Sequence, residues 1–426
     1  MRSILVFLLS CTISCGFAQS DHRKNFDENM WEKYVGVYRN DDNSNFFVSL
    51  DWGSALVFTN TSTGFKLVLK KKENDVYHSG DSLTVIFIHD NKNNISGIDL
   101  KNKSEILRLA KVPISFEKIV VSSKGAIING TLIRLKNNKA VPAIIVNGGA
   151  SWIIRDTNLE EALFYVSQGL AAVVYDKRGW GESTGEKIVP FSQTAEDINA
   201  IAEYLKLRTD VLPDKIGIST YSQSGWFGTL ATSTSNVIAY QIMNVPAATF
   251  IYRQEKQRIN NELKADGFSK DEIATALKLF DLMSQYSIKG NNWPDYKALR
   301  DANSNKAWIK YMFAPDNNKK ETWEWGRMNW QYNPLPALMK ITVPTLVLLG
   351  EMDLKVSPEV NKSIFEMVFD AAKNKDYEIH IIDKMNHSLK ISSEDGARKA
   401  NDTHRIPPDL FLIKIKWLKE RGYIIK

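Results

Sequence analysis

The chain has 426 residues, of which 43% are hydrophobic and 24% are charged. This length allows one large core and favours two or three domains, and the composition is that of an ordinary globular protein. The formal net charge of +6 is small for a chain of this size, and its lysine clusters are separated by acids and aromatics. Composition therefore predicts no polyanionic partner and argues against nucleic-acid binding.

The first eighteen residues differ from the rest of the chain. Arg2 is their only charged residue, an apolar run follows at 4–9, and Gly16 and Ala18 flank Phe17. This pattern is typical of a cleaved secretory signal, whereas the apolar run is too short to cross a bilayer core of about 30 Å. We expect a signal peptide at 1–18, no transmembrane segment, and export to the periplasm or the extracellular space.

Both cysteines of the chain, Cys11 and Cys15, lie within this segment. Cleavage after Ala18 would leave a mature chain without cysteine, which excludes a disulfide and a cysteine metal site. The alternative is a lipoprotein, in which an acylated Cys11 or Cys15 becomes the mature N-terminus and anchors the protein at the outer face of a membrane.

Residues 19–112 are predicted to form a small β-rich domain. Short β-type runs at 46–50, 65–69 and 83–87 are separated by Asn, Asp and Gly. This pattern is typical of antiparallel strands joined by turns. The sequence leaves open whether the domain supports a lid, forms a dimer surface or binds a ligand.

Residues 113–426 follow a different pattern, in which apolar runs alternate with helical windows at 158–168 and 194–207. Several of the runs are continuously apolar, as strands buried on both faces are. We therefore predict an α/β fold, with a mostly parallel sheet covered by helices. The predicted strands lie at 117–121, 131–135, 143–146, 171–175, 215–219, 240–243, 345–349 and 378–382.

An insertion at about 247–337 interrupts this alternation and is predicted to be a helical cap. Ser269 and Glu272 have the spacing of a capping box, and apolar residues then recur at helical intervals. Gly267 is expected to end the preceding helix. Five tryptophans of the insertion could line an apolar acyl pocket or simply pack the cap onto the core: Trp293, Trp308, Trp323, Trp325 and Trp330.

Ser222 follows the apolar run 215–219 and is surrounded by small residues. A serine at a sharp strand-to-helix turn exposes its hydroxyl beside backbone N–H groups, and a chain presents a nucleophile in this way. The usual elbow is Gly-x-Ser-x-Gly, but Thr220 and Ser224 occupy the glycine positions here, and Gly225 follows. Ser222 is the predicted nucleophile, and an ordinary serine-rich loop is the alternative.

Two N–H donors are predicted beside this serine. Gly149 lies in a glycine turn directly after the strand 143–146, and Gln223 follows the nucleophile. Backbone N–H groups at these two positions are the usual donors to the oxyanion that forms during acyl transfer. A tight turn without a catalytic task is the alternative for Gly149.

An acid and a base are predicted at two further strand ends, where an open α/β sheet exposes its functional residues. Asp353 follows the strand 345–349 and would orient the base, although it could instead cap the next helix. His387 follows the strand 378–382 and is the predicted general base. The other histidines lie near the N-terminus, inside a strand or away from any strand end: His22, His78, His89, His380 and His404.

Five motifs carry a family resemblance: Asn147-Gly148-Gly149, Asp176-Lys177-Arg178-Gly179-Trp180-Gly181-Glu182-Ser183, Tyr221-Ser222-Gln223-Ser224-Gly225, Gly350-Glu351-Met352-Asp353 and Asn386-His387. With them, the segment from about residue 116 to the C-terminus resembles the α/β-hydrolase superfamily. Within this superfamily it resembles the secreted bacterial esterase-like branch, of the dienelactone hydrolase and serine esterase type. The resemblance implies a Ser222 nucleophile, an Asp353 acid, a His387 base and a cap over the pocket. The chain departs from the family at Asn147, where His is usual, and at both elbow glycines.

These residues predict a secreted serine hydrolase that cleaves a small-molecule carboxylic ester through an acyl-enzyme. A peptidase of the aminopeptidase or dipeptidyl-peptidase type, or a thioesterase, would use the same residues. A peptidase would also need cap carboxylates such as Asp316, Glu321 or Glu324 to anchor a substrate amine. A non-catalytic binding protein on a degenerate hydrolase fold is the third alternative. No cofactor and no metal site is expected, and the oligomeric state is open.

Overall fold

The computed structural model describes residues 33–51, 55–79, 83–137, 139–150, 154–392 and 405–424. The predicted signal peptide with Cys11 and Cys15 lies outside these residues, as do His22 and His404. None of the helices in the described ranges is long and apolar enough to cross a membrane.

The first described part of the chain is a closed barrel of eight antiparallel strands. They are β1 (Gly36–Arg39), β2 (Asn45–Asp51), β3 (Ala55–Asn60), β4 (Lys66–Glu73), β5 (Val76–Ser79), β6 (Leu83–His89), β7 (Ile95–Asn102) and β8 (Glu105–Lys111). Each strand pairs with the next, and β1 pairs with β8, so the sheet has no free edge. Tyr38, Phe47 and Val85 are buried in its core. The predicted antiparallel β-fold of this part is confirmed.

The second part is an eight-stranded sheet. Its strands are β9 (Ile114–Ser123), β10 (Ala126–Leu135), β11 (Val141–Asn147), β12 (Ala171–Tyr175), β13 (Val211–Tyr221), β14 (Ile238–Asn244), β15 (Thr345–Gly350) and β16 (Tyr377–Ile382). They are arranged in the order β9-β10-β12-β11-β13-β14-β15-β16. Strand β10 is antiparallel to both of its neighbours, and the remaining pairs are parallel. This is the order of the α/β-hydrolase fold, as predicted.

Helices cover the sheet, which explains its continuously apolar strands. All residues of β11, β12 and β15 are buried, as expected for strands with a packed layer on each face. The helices are α1 (Leu159–Ser167), α2 (Phe191–Lys206), α3 (Ser224–Thr234), α4 (Ile251–Ala265), α5 (Lys270–Lys289), α6 (Trp293–Ala302), α7 (Lys320–Asn329), α8 (Leu335–Leu338), α9 (Pro358–Ala371) and α10 (Pro408–Glu420).

Helices α4 to α8 lie between β14 and β15, in the segment predicted as a cap. Helix α5 begins with the predicted capping box, in which Ser269 Oγ accepts the Glu272 N–H and the Glu272 carboxylate accepts the Ser269 N–H. Gly267 follows the end of α4 with a φ of +78°, a conformation that glycine adopts readily. The limits of the cap at 247–337, like the domain boundary at 112, stay predictions.

The barrel packs against helix α1 and the segment before α10. Glu160 of α1 accepts hydrogen bonds from Thr59 Oγ1 at 2.5 Å and from Lys66 Nζ at 2.6 Å. The carbonyl of Gly64 accepts the N–H of Ile406 at 2.8 Å. Apolar side chains of the barrel, of the sheet and of both helices belong to one continuous core.

Candidate active site

Ser222 lies in the short turn between β13 and α3. Its φ is +52°, in the left-handed region that residues other than glycine rarely adopt. Two hydrogen bonds hold this conformation, because the Ser222 N–H donates to the Asn244 carbonyl at 2.9 Å and the Ser222 carbonyl accepts the Gly225 N–H at 2.9 Å. The side chain is half-exposed. A serine held in this way has the strained turn of a nucleophile elbow.

His387 lies between Ser222 and Asp353. Its Nε2 is 2.9 Å from Ser222 Oγ, and its Nδ1 is 2.8 Å from Asp353 Oδ2. A carboxylate can only accept, so Nδ1 carries the proton and Nε2 is left to accept the serine O–H. The structure thus brings together the three residues that the sequence placed at the carboxyl ends of β13, β15 and β16. Their catalytic roles stay predictions.

The two oxygens of the Asp353 carboxylate have different hydrogen-bond partners. Oδ2 contacts the histidine, while Oδ1 accepts the N–H groups of Lys355 at 2.8 Å and Val356 at 2.9 Å. The residue is 4% exposed. The cap contacts the same loop, because Asn261 of α4 donates to the Leu354 carbonyl at 3.3 Å. Asp353 therefore fixes its own loop and orients the imidazole.

Thr220 and Ser224 occupy the two positions where the usual elbow has glycine, and contacts in the structure accommodate both side chains. Ser224 Oγ accepts the Tyr221 N–H at 2.6 Å and lies 3.0 Å from the Asn147 carbonyl, to which it can donate. A Cβ at Gly228 would lie 2.4 Å from Thr220 Cγ2. The glycine that makes room for Thr220 is therefore on the next turn of α3. Sequence reasoning missed Gly228, because only the packing of α3 on β13 connects it with the elbow.

We expect Gly228→Ala to lower the free energy of unfolding by about 1–3 kcal/mol, because the new methyl would overlap Thr220. Thr220→Ala removes the opposing methyl group, so the double variant should recover most of this loss. Urea unfolding of both single variants and the double variant measures the coupling. Equal losses in Gly228→Ala and in the double variant would contradict the explanation.

Both predicted oxyanion donors flank the elbow. A Cβ at Gly149 would lie 2.9 Å from the ring of Tyr221, so this glycine lies directly against the residue before the nucleophile. The N–H of Gln223 has no backbone acceptor among the residues that the structure describes. Gln223 also lies at the start of α3, where the helix dipole favours negative charge. Their role as donors stays a prediction.

Asn147 is a structural residue of this loop. Its amide group donates to the carbonyls of Ile145 at 3.1 Å and Ser219 at 3.0 Å, and its Oδ1 accepts the Tyr175 hydroxyl at 2.7 Å. The side chain is buried between β11, β12 and β13. Asn147 thus ties three strand ends together, in a position where the family usually has histidine.

Tyr221 links the oxyanion loop with the histidine loop, and sequence reasoning did not single it out. Its hydroxyl donates to the His387 carbonyl at 2.6 Å, while its ring faces Gly149. The tyrosine and histidine ring centroids are 5.7 Å apart. One side chain therefore contacts both loops beside the nucleophile.

Three ion pairs brace the loop after β12. Arg155 pairs with Asp176 at 2.8 Å and with Glu182 at 2.5 Å, and Arg178 pairs with Asp197 at 2.6 Å. The guanidinium of Arg155 also keeps the pKa of Glu182 below its usual value, against the opposing effect of burial. Asp176, Arg178 and Glu182 therefore hold this loop in place through ion pairs.

Cap tryptophans both pack the cap and line a cavity in it. Trp308 is fully buried. Trp323, Trp325 and Trp330 line a cavity whose remaining lining residues include Met283 and Phe313. The Trp325 ring also lies 6.3 Å from Phe191, which stacks on Trp226 of α3. Contacting aromatic rings therefore connect the lining of this cavity with α3, the helix that follows Ser222.

The model of the X-Pro dipeptidyl-peptidase (S15) family matches residues 124–388, which is more than half of the chain. The chain belongs to this family. This membership confirms the α/β-hydrolase resemblance and identifies an enzyme of the serine hydrolase kind. Family membership alone does not show whether the substrate is an ester or a peptide, because one fold can host both activities. A comparison with curated proteins found no significant match.

Several solved structures are similar to this S15 family member. The α/β-hydrolase GrgF from Penicillium sp. sh18 is 18% identical, with 72% of this chain and 99% of that chain covered and a TM-score of 0.47. The esterase Pf2001 of Pyrococcus furiosus is 13% identical, with 72% and 90% covered and a TM-score of 0.44. The acylaminoacyl peptidase of Pyrococcus horikoshii is 13% identical, with 92% and 56% covered and a TM-score of 0.44. These low values indicate nothing about the substrate.

Proposed function

We propose that this protein is a serine esterase that cleaves a small-molecule carboxylic ester through an acyl-enzyme. The observation that supports this most is the continuous hydrogen-bonded row from Ser222 through His387 to Asp353. Such a row activates a hydroxyl that is otherwise a weak nucleophile. Export of the protein, with or without a lipid anchor, belongs to the same proposal and rests on residues 1–18 alone.

In this mechanism His387 Nε2 takes the proton of Ser222 as Oγ attacks the ester carbonyl. Asp353 stabilises the imidazolium that forms, and the N–H groups of Gly149 and Gln223 stabilise the oxyanion. His387 then gives the proton to the departing alcohol, which leaves Ser222 acylated. His387 then takes a proton from a water molecule, which attacks the acyl carbonyl. The same proton passes from His387 to Ser222 Oγ as the bond between Oγ and the acyl carbon breaks, which releases the acid and restores the serine.

The cap carboxylates bear on the choice between a neutral substrate and one with a free amine. An aminopeptidase needs an unpaired carboxylate to bind the substrate ammonium. A second cap cavity is lined by Glu255 and Arg258, and Arg258 pairs both with Glu255 at 2.9 Å and with Glu262 at 2.5 Å. This group of two carboxylates and one guanidinium keeps a net negative charge, so it is the place in the cap that suits a substrate ammonium. Asp316 and Glu321 are exposed on the cap, and Glu324 is half-buried outside both cavities.

A substrate comparison tests the proposal. Hydrolysis of a p-nitrophenyl ester series should exceed that of the matching aminoacyl p-nitroanilides, and a fluorophosphonate should label the protein at Ser222. Ser222→Ala should abolish ester hydrolysis and labelling, while Ser233→Ala, near the far end of α3, serves as the matched control. Full esterase activity in Ser222→Ala would contradict the proposal.

The second candidate is a peptidase, which the family match favours. A dipeptidyl-peptidase would release p-nitroaniline from Xaa-Pro-p-nitroanilide faster than it cleaves any ester of the series. A thioester substrate in the same assay tests for a thioesterase. Absence of fluorophosphonate labelling would instead support the non-catalytic alternative.

A further inference from the structure

Lys177 is a half-buried lysine beside the oxyanion loop that the mechanism above does not use. It follows β12, and its Nζ donates to the Gly149 carbonyl at 2.8 Å. The same ammonium lies 4.7 Å from the centre of the Phe227 ring on α3. Lys177 therefore contacts both the predicted oxyanion loop and the helix that carries the nucleophile turn.

The charge of Lys177 is not balanced by a neighbouring acid. Within the described ranges no carboxylate pairs with it, since the adjacent Asp176 is bound by Arg155 and the adjacent Arg178 holds Asp197. Burial lowers the pKa of Lys177 to about 7. A cation in such a place costs stability, and residues that cost stability without a packing reason are concentrated at functional sites.

The contact with Gly149 fixes one end of the oxyanion loop. At the other end of the loop, Ser224 Oγ lies 3.0 Å from the Asn147 carbonyl and 3.0 Å from the Tyr221 carbonyl, so these two acceptors share its one hydroxyl hydrogen. The Gly149 N–H and the Gly149 carbonyl that Lys177 holds belong to the same residue. Only the two backbone dihedrals of Gly149 lie between them, so holding this carbonyl narrows the directions in which the N–H can point.

We propose that Lys177 is a positioning residue of the oxyanion loop, which holds the Gly149 carbonyl so that the Gly149 N–H faces the substrate oxygen. This inference rests on the proposed serine hydrolase function. Lys177 does not touch the reacting atoms. It acts through the loop, in the way that preorganised donors gain their effect by being held in place.

Lys177→Met in the full chain tests this, because methionine keeps most of the length and removes the donor and the charge. We expect kcat for an ester to fall about 10- to 100-fold with little change in KM. The unfolding midpoint should equal or exceed that of the wild type. Lys187→Met is the matched control, since Lys187 is an exposed lysine of the same loop that lies over the Trp180 ring.

Two results would overturn the inference: an unchanged kcat, or a kcat that falls together with the unfolding midpoint, as expected of a purely structural lysine. Hydrogen exchange of the peptide that contains residues 147–150 provides a readout that needs no substrate. Faster exchange in Lys177→Met but not in Lys187→Met supports the positioning role. If the wild type cleaves no ester, the proposed function fails, and unchanged exchange would still separately refute the role of Lys177.

Discussion

Asp353→Asn should lower kcat for an ester by about four orders of magnitude while the protein keeps its fold. The reason lies in the two different partners of this carboxylate. Oδ1 accepts two backbone N–H groups, from Lys355 and Val356, so the carbonyl oxygen of an asparagine must take this position. The asparagine NH₂ group then faces His387 Nδ1.

That orientation reverses the tautomer of the histidine. A donor opposite Nδ1 requires Nδ1 to accept, so the ring proton moves to Nε2. Nε2 then presents an N–H to Ser222 Oγ, 2.9 Å away, and can no longer take the serine proton. The predicted loss therefore lies in the chemical step and lowers kcat, whereas substrate binding should change little.

Steady-state kinetics of Asp353→Asn, with fluorophosphonate labelling rates, measure this loss. Asp383→Asn is the matched control, because it makes the same chemical change at an exposed position four residues before His387. The control should keep wild-type activity. An Asp353→Asn protein that retains a tenth of the wild-type kcat would refute the assigned role of Asp353.

The alternation of apolar runs and helical windows was enough to predict the sheet and the strand ends that carry the site. Ser222, Asp353 and His387 each follow a run that the structure shows as β13, β15 or β16. Parallel neighbours end at the same edge, so residues far apart in sequence were expected to meet there. The three residues therefore come together because their strands are parallel, and the apolar pattern of the sequence predicted a mostly parallel sheet.

The contacts that refine the site could not be predicted, because they depend on packing between elements. Nothing in the sequence relates Thr220 to Gly228, or Lys177 to the Gly149 carbonyl. The same holds for the barrel, where runs at 46–50, 65–69 and 83–87 indicated three strands and the structure has eight. Barrel closure depends on the pairing of β1 with β8, and no turn motif in the sequence indicates that these two distant strands pair.

A second large effect is expected at Lys414, which lies on α10 and is 1% exposed. Its Nζ is 2.9 Å from Glu161 Oε1 on α1, and the same oxygen accepts the Ser219 hydroxyl at 2.8 Å and the Tyr165 hydroxyl at 2.9 Å. Burial alone would raise the pKa of Glu161, but the charge of Lys414 and these hydrogen bonds lower it below the usual value.

Lys414→Met should therefore lower the free energy of unfolding by about 3 kcal/mol, the low end of the range for buried pairs, because it leaves a half-buried carboxylate without its counter-charge. Glu161→Gln added to Lys414→Met removes the uncompensated charge and keeps the acceptor, so the double variant should recover most of the loss. Lys416→Met on the same helix is the control. Its side chain is 73% exposed and lies 3.9 Å from Glu420, and a change within about 0.5 kcal/mol is expected.

The pH dependence of this loss separates charge from packing. In the wild type the pKa of Glu161 lies below its unfolded value, so the pair's contribution is present at neutral pH and is lost only in acid. In Lys414→Met, we expect burial without the cation to raise this pKa above the unfolded value. The folded variant then takes up a proton as pH falls, so its deficit in urea unfolding should be smaller at pH 5 than at pH 8. A deficit that is equal at both pH values would mean that lost packing, and not the unpaired carboxylate, causes the destabilisation.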